Sequence, residues 1–219
     1  MPLPSRLVVV VLALTACLAV GGGAWELLHF GPNTAATAAR VEREVRATVS
    51  ERASDVESLA RRVAGEGELI ADASSSRDKL PALFDRLFAL AKPLDQHGVA
   101  VTLYVPDGSA NPYRVLAWSD GPGEKNLAPE RLAGPATLFI APGHAGMRMV
   151  FVDPVEFAGR RVGVAVAETV IATTSSAPTP ERLLSTSFGP VSVIEQYAST
   201  RDEVSSPDSF AIASATGAP

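Results

Sequence analysis

Cysteine occurs once, at Cys17, so the chain holds no internal disulfide and no multi-cysteine metal site, and its fold must stand on a hydrophobic core. Lysine is scarce: Lys79, Lys92 and Lys125 leave 16 of the 19 basic residues as arginine, an imbalance that reads as genomic base composition. Acidic residues outnumber basic ones, giving a net charge of −5 and a pI near 5.3. Nucleic acid is therefore not an expected partner, because its binding needs a clustered Lys/Arg surface that releases counterions. His29, His97 and His144 stand in separate contexts, namely the end of an apolar run, a helix-to-strand junction and a hairpin turn, so no shared metal site is expected. Catalytic motifs are missing too. There is no Gly-x-Ser-x-Gly elbow, and Gly121-Pro-Gly-Glu-Lys125 lacks the spacing and the Ser/Thr of a phosphate-binding loop. The carboxylates are scattered, mostly along one solvated helix. Neither a catalytic site nor a cofactor is expected in this chain.

What is present suits one domain plus a smaller module: 219 residues, 47% hydrophobic and 20% charged. Leu7 to Trp25 runs nineteen residues without a charge, the length a helix needs to cross ~30 Å of hydrocarbon. It reads as a transmembrane anchor over residues 1–28. Arg6 precedes it and Glu26 follows it, which keeps the amino terminus inside and puts the remainder outside the cytoplasmic membrane. A cleavable signal peptide has the same outline. Leu14-Thr15-Ala16-Cys17 resembles a lipoprotein lipobox, in which Cys17 would carry lipid, although Leu18 to Trp25 stays apolar where a lipoprotein tether turns polar. All three readings place the main domain outside the cytoplasm.

From Asn33 to about Ala64 there is no proline or glycine, and the spacing predicts one long helix capped by Asn33. Val49, Ala53, Val56, Ala60 and Val63 share a stripe that faces either the helix's own domain or, through Val49, Val56 and Val63, a parallel homodimer seam. A second helix is predicted from Asp78 to Pro93, with Leu80, Phe84, Leu87, Phe88 and Ala91 inward. After Gly98 the period becomes alternating. Val99–Val105, Tyr113–Ser119, Ala136–Ala141, Met147–Asp153 and Arg161–Glu168 read as strands, and their short connections predict an antiparallel sheet. Residues 120–134 form a Gly/Pro-rich covering loop with a short helical piece near Pro129. Thr173 to Pro180 reads as a linker opening a partial β-rich module over 173–219, with strands at Val191–Tyr197 and Phe210–Ser214. Thr216-Gly-Ala-Pro219 reads as a turn awaiting another strand, so a longer parent protein is expected.

Two segments carry a family resemblance. Asp153-Pro-Val-Glu-Phe-Ala-Gly159-Arg-Arg-Val-Gly163-Val-Ala-Val resembles the Pro-Val, short turn, Val-Gly-Val signature of extracellular Cache sensor domains, relatives of PAS domains. With Val-Thr-Leu-Tyr-Val-Pro-Asp-Gly108 and Val-Leu-Ala-Trp118, it is similar to the sensor region of membrane-bound histidine kinases over about residues 30 to 170. The resemblance implies an α+β fold: a transmembrane helix, then a long stalk helix and a second helix on a five-stranded antiparallel Cache/PAS-like sheet spanning residues 29–172, then the partial β module. It implies an extracytoplasmic sensory input region of a signal-transduction protein, with the output domain elsewhere. The alternative is an envelope lipoprotein or anchored binding protein lipidated at Cys17. Amino-acid-binding members carry Arg-x-Trp-Tyr, whereas Arg114-Val-Leu-Ala-Trp118-Ser119 differs in spacing and lacks the tyrosine.

Strand alternation proposes where a ligand would sit. Val99, Val101, Leu103, Val105, Val115, Ala117, Leu138, Ile140, Met149 and Phe151 should meet the long helix. The opposite face then collects Tyr104, Arg114, Trp118 and Arg148 among Leu116, Phe139, Val150 and Val152, beneath the covering loop. An apolar site with a few convergent polar groups suits a small molecule such as an organic acid. Arg148 would act as forked donor, Trp118 and Tyr104 as flat walls.

Overall fold

The structure is a computed structural model that describes residues 5–29, 33–108, 112–121, 127–175, 181–194 and 210, with the backbone alone for 5–13 and 27–29. Helix α1 spans Ser5–His29 and α2 spans Thr34–Ala64. The Asn33 side chain accepts a 2.9 Å hydrogen bond from the Ala36 N–H, satisfying one of the donors that a helix start leaves open. Among the described residues, no helix is long and apolar enough to cross a membrane. Residues 7–13 of the Leu7–Trp25 run lie outside the side chains described, and the described remainder does not support the anchor expectation.

The stripe on α2 faces inward. Val56 and Val63 are fully buried with Leu59 and Ala60, and Val49 packs against the same core. Since Val56 and Val63 have no surface left in the single chain, the dimer-seam expectation for Val49, Val56 and Val63 is corrected: the stripe is an intramolecular packing face.

Helix α3, Gly67–Ser75, follows at once and was not legible as a helix. It buries Ile70 and Ala73, and its first residue must be glycine, because a Cβ there would stand 2.5 Å from the Glu156 carbonyl oxygen. Helix α4, Leu80–Ala91, buries Leu83, Leu87, Leu90 and Ala91, while Phe88 is exposed. Its inward face is rotated from the expected one; Leu80 and Phe84 remain at the core's margin. A 3-10 turn, Lys92–His97, and the left-handed Gly98 lead into the sheet.

The strands are β1 (Ala100–Pro106), β2 (Tyr113–Trp118), β3 (Thr137–Gly143), β4 (Gly146–Phe157), β5 (Arg160–Thr174), β6 (Arg182–Thr186) and β7 (Gly189–Ser192), with the short helix α5 at Pro129–Ala133. They form an antiparallel sheet in the order β2-β1-β5-β4-β3. Strands β4 and β5 run longer than the sequence suggests and close through Ala158 and Gly159, whose φ values of 50° and 72° fit the mirror-image turn that follows strand twist. Beyond the reach of β1, Thr173 and Thr174 of β5 pair with Leu183 and Arg182. The β6–β7 hairpin therefore extends the first sheet to seven strands, where five were expected. Its Leu184 packs with Val45 of α2, Met147 and Ala172. Of the strand expected at Val191–Tyr197, Val191 and Ser192 belong to β7, Val193 and Ile194 are not in a strand, and 195–197 lie outside the described residues, as does the strand expected at Phe210–Ser214 apart from Phe210, which packs on that cluster.

Candidate functional site

On the helix-facing side, Val101, Leu103, Ala117, Met149 and Phe151 meet α2 and α4, as alternation predicted, and Ala165 and Ala167 of β5 join them. The other face holds Tyr104, Val150, Val152, Val164 and Val166, flanked by Tyr113, Val115 and Phe139 and covered by Leu132 of α5. Arg131 of α5 places its guanidinium 4.9 Å from the Phe139 ring centre, a cation–π contact that ties the short helix to β3. Arg161 on β5 donates to the carbonyls of Leu132, Ala133 (2.7 Å) and Gly134 (3.1 Å), satisfying acceptors that the end of α5 leaves open.

Within this face lies a part-buried ion pair. Arg148 on β4 and Glu168 on β5 are joined through Nη1 and Oε2, with side chains 7% and 15% exposed. Register explains the meeting: Arg148 stands opposite Val170 and Glu168 opposite Val150, so the two are diagonal neighbours on one face. Tyr104 lies close enough to respond to both. Burial raises the pKa of its phenol, the Glu168 carboxylate raises it further and Arg148 opposes them, so at neutral pH the hydroxyl is a donor.

The four residues expected to share this face do not converge. Arg148 and Tyr104 belong to one buried neighbourhood. Arg114 turns to the β1–β2 connection, where its Nε lies 3.3 Å from an Asp107 carboxylate oxygen. Trp118 meets Phe84 of α4 edge-on, with ring centres 5.3 Å apart and planes at 89°. Val115 and Leu116 exchange faces relative to the expectation, because the pairing jumps from Leu103↔Ala117 to Tyr104↔Val115 and the bulged Leu116 turns into the helix-side core. Sequence reasoning missed Glu168. The available signal was its parity with Val164 and Val166 on a strand read as ending at that residue.

An open groove near α5 is lined by Ala133, Pro135, Asp153, Pro154, Glu156 and Arg161. Burial raises the Asp153 pKa, with Arg61 opposing and Glu57 adding to the shift. Cys17 is exposed on α1. Among the described residues no cluster of three or more His, Cys, Asp or Glu is placed to hold a metal ion.

No protein-family model matches the sequence, and no curated protein matches it. Among solved structures it is similar to the sensor domain of the V. cholerae histidine kinase DctB, at 15% identity and a TM-score of 0.44, covering 60% of this chain and 52% of that one. It is also similar to the ligand-binding domain of the Pseudomonas aeruginosa PAO1 amino-acid chemoreceptor PctC, solved with GABA, at 16% identity and a TM-score of 0.30, covering 59% of this chain and 58% of that one. The chain thus spans little more than half the length of either neighbour.

Proposed function

We propose that this chain is the extracytoplasmic sensory region of a membrane-anchored signal-transduction protein, with a sensor histidine kinase as parent and the output domain outside this chain. One observation carries the reading: α2 starts within five residues of the end of α1 and buries its second half beneath the sheet whose other face holds Tyr104, Arg148 and Glu168. A single helix is thereby linked both to the apolar N-terminal run and to the core under the candidate site. The uncharged run Leu7–Trp25 supports α1 as the anchor, with the amino terminus inside.

The proposed ligand is a small organic acid bound on the outer face. Arg148 is its forked donor, Tyr104 a hydroxyl donor, and the valines of β4 and β5 the apolar wall. Such an acid competes with Glu168 for the guanidinium. A thermal-shift screen of organic acids on the full chain in detergent tests this: some acid should raise the Tm, and Arg148→Ala should lose the shift. Retention of the whole shift in Arg148→Ala would show that the site lies elsewhere. Cell fractionation with metabolic lipid labelling tests the anchor. Membrane retention without lipid supports α1 as the span, whereas lipid on Cys17 establishes the envelope-lipoprotein alternative.

A further inference from the structure

Helix α2 is held to the domain in two places that differ in depth. Its second half buries Val56, Leu59, Ala60 and Val63 in the main core, whereas among its residues ahead of Ser50 only Val45 is buried. Val45 packs with Met147, Ala172 and Leu184, and two residues, Val49 of α2 and Ile171 of β5, touch both this small cluster and the main core. Leu184 belongs to the β6–β7 hairpin, whose turn also reaches α2: the Ser187 backbone N–H and hydroxyl both donate to the Glu44 carboxylate. The first half of the helix is thus gripped by a hairpin that hangs from the far end of β5.

This grip adjoins the Arg148–Glu168 pair. Between Met147↔Ala172 and Arg148↔Val170 the β4–β5 register slips, leaving Ile171 as the unpaired residue of a bulge. On one side of the bulge Arg148 is tied to Glu168 on the outer face; on the other, Met147 lies in the cluster with Val45 and Leu184. One residue further, Gly146 stands opposite Thr173, and a Cβ there would lie 1.9 Å from the Ala172 carbonyl oxygen, so the two backbones are in close contact. Thr173 in turn pairs with Leu183 of the hairpin. The route from guanidinium to hairpin therefore runs along paired strands, with no loop in it. A bulge bends its strand and raises the local twist, so a pair that ties β4 to β5 beside it fixes the angle at which the end of β5 leaves the sheet.

We infer that the β6–β7 hairpin is a strap on the first half of α2 whose grip is set by the Arg148–Glu168 pair across the bulge at Ile171. With the pair in place the strap is tight. With the pair parted, the end of β5 is free to bend at Ile171 and α2 is released ahead of Ser50. The strap and its coupling to the pair stand on this geometry; that a bound organic acid works the device, by drawing Arg148 away from Glu168, rests on the ligand reading above.

Hydrogen exchange of the full chain in detergent, read by mass spectrometry over residues 41–48 and 56–63, tests both parts. Leu184→Ala should speed exchange over 41–48 by about tenfold and leave 56–63 within about twofold of wild type; acceleration of both segments by the same factor, or of neither, overturns the strap. Glu44→Ala keeps that test alive where Leu184→Ala fails to fold. Alanine is the better helix former, so faster exchange over 41–48 reports the lost contact with Ser187, and unchanged or slower exchange overturns the strap. The coupling is tested by Arg148→Met with Glu168→Leu, which removes both charges together and leaves neither unpartnered. Exchange over 41–48 should then rise by about threefold or more with 56–63 unchanged. A rate over 41–48 equal to or below wild type, or an equal rise in both segments, overturns the coupling. None of these measurements uses a ligand, so failure of the strap and failure of the organic-acid site are distinguishable.

Discussion

Along β5, Ala165 and Ala167 turn toward the helices, whereas Val164, Val166 and Glu168 turn to the opposite face. Small residues at the centre of the strand let α2 lie close, and Val56, Leu59, Ala60 and Val63 all become fully buried there. At its centre that side is held by apolar packing and would accept other apolar side chains of similar size. The outer face is also largely apolar, but it contains a charged pair, Arg148 and Glu168, shielded from solvent at 7% and 15% exposure. A sheet can thus be tolerant on one face and exacting on the other, and the exacting face is where specificity for a ligand can be built.

The sharpest way to break this contrast is Arg148→Ala, which takes the guanidinium from a part-buried carboxylate and should cost on the order of 3 kcal/mol in denaturant unfolding. The double change Arg148→Met with Glu168→Leu should recover most of that loss, and a double mutant as unstable as the single would refute the pairing argument. On the helix side, Leu59→Ala should cost about 2–5 kcal/mol, while Leu59→Met should cost less than about 1.5 kcal/mol. Equal costs for the two would mean that this side is as exacting as the other. Glu168→Gln should enlarge the thermal shift produced by an effective organic acid, since the competing carboxylate is gone; an unchanged shift would separate the ligand from Arg148.

Smaller effects belong to the margins. Glu44 of α2 accepts the Ser187 backbone N–H at 2.6 Å and its hydroxyl at 2.5 Å, which holds the β6–β7 hairpin to the helix and lowers the carboxyl pKa. A depressed carboxylate contributes stability above its unfolded pKa and loses it as pH falls through the folded one. The Tm difference between wild type and Glu44→Gln should therefore shrink on acidification below about pH 4.5, and a constant difference would exclude the ionic part of the contact.

Much of the architecture was legible because it depends on local periodicity. The run Asn33–Ala64 without Pro or Gly became α2, and the alternation at Val99–Val105 became β1 to within a residue. The pair Ala158-Gly159 became the β4–β5 turn. Helix α3 was hidden because Gly67, ordinarily a helix breaker, is placed there by the close approach of Glu156. Arg148 and Tyr104 could be assigned to one face by parity. Trp118 could not be separated from them, because it sits at the end of an edge strand where a side chain can reach α4.

By itself, the sequence determined the class of the molecule: a long helix ahead of an antiparallel sheet, with an apolar side for the helices and a mixed side away from them. These outcomes follow from the 3.6- and 2-residue periods, which are properties of neighbouring residues. Only the tertiary structure decided that the Val49/Val56/Val63 stripe faces its own core, that Leu116 changes sides, that Arg148 meets Glu168, and that His97 rests between Glu51 and Asp55. Periodicity states that a face is apolar or charged but not what opposes it, and the opposing group, far away in sequence, sets the energy of every one of these contacts.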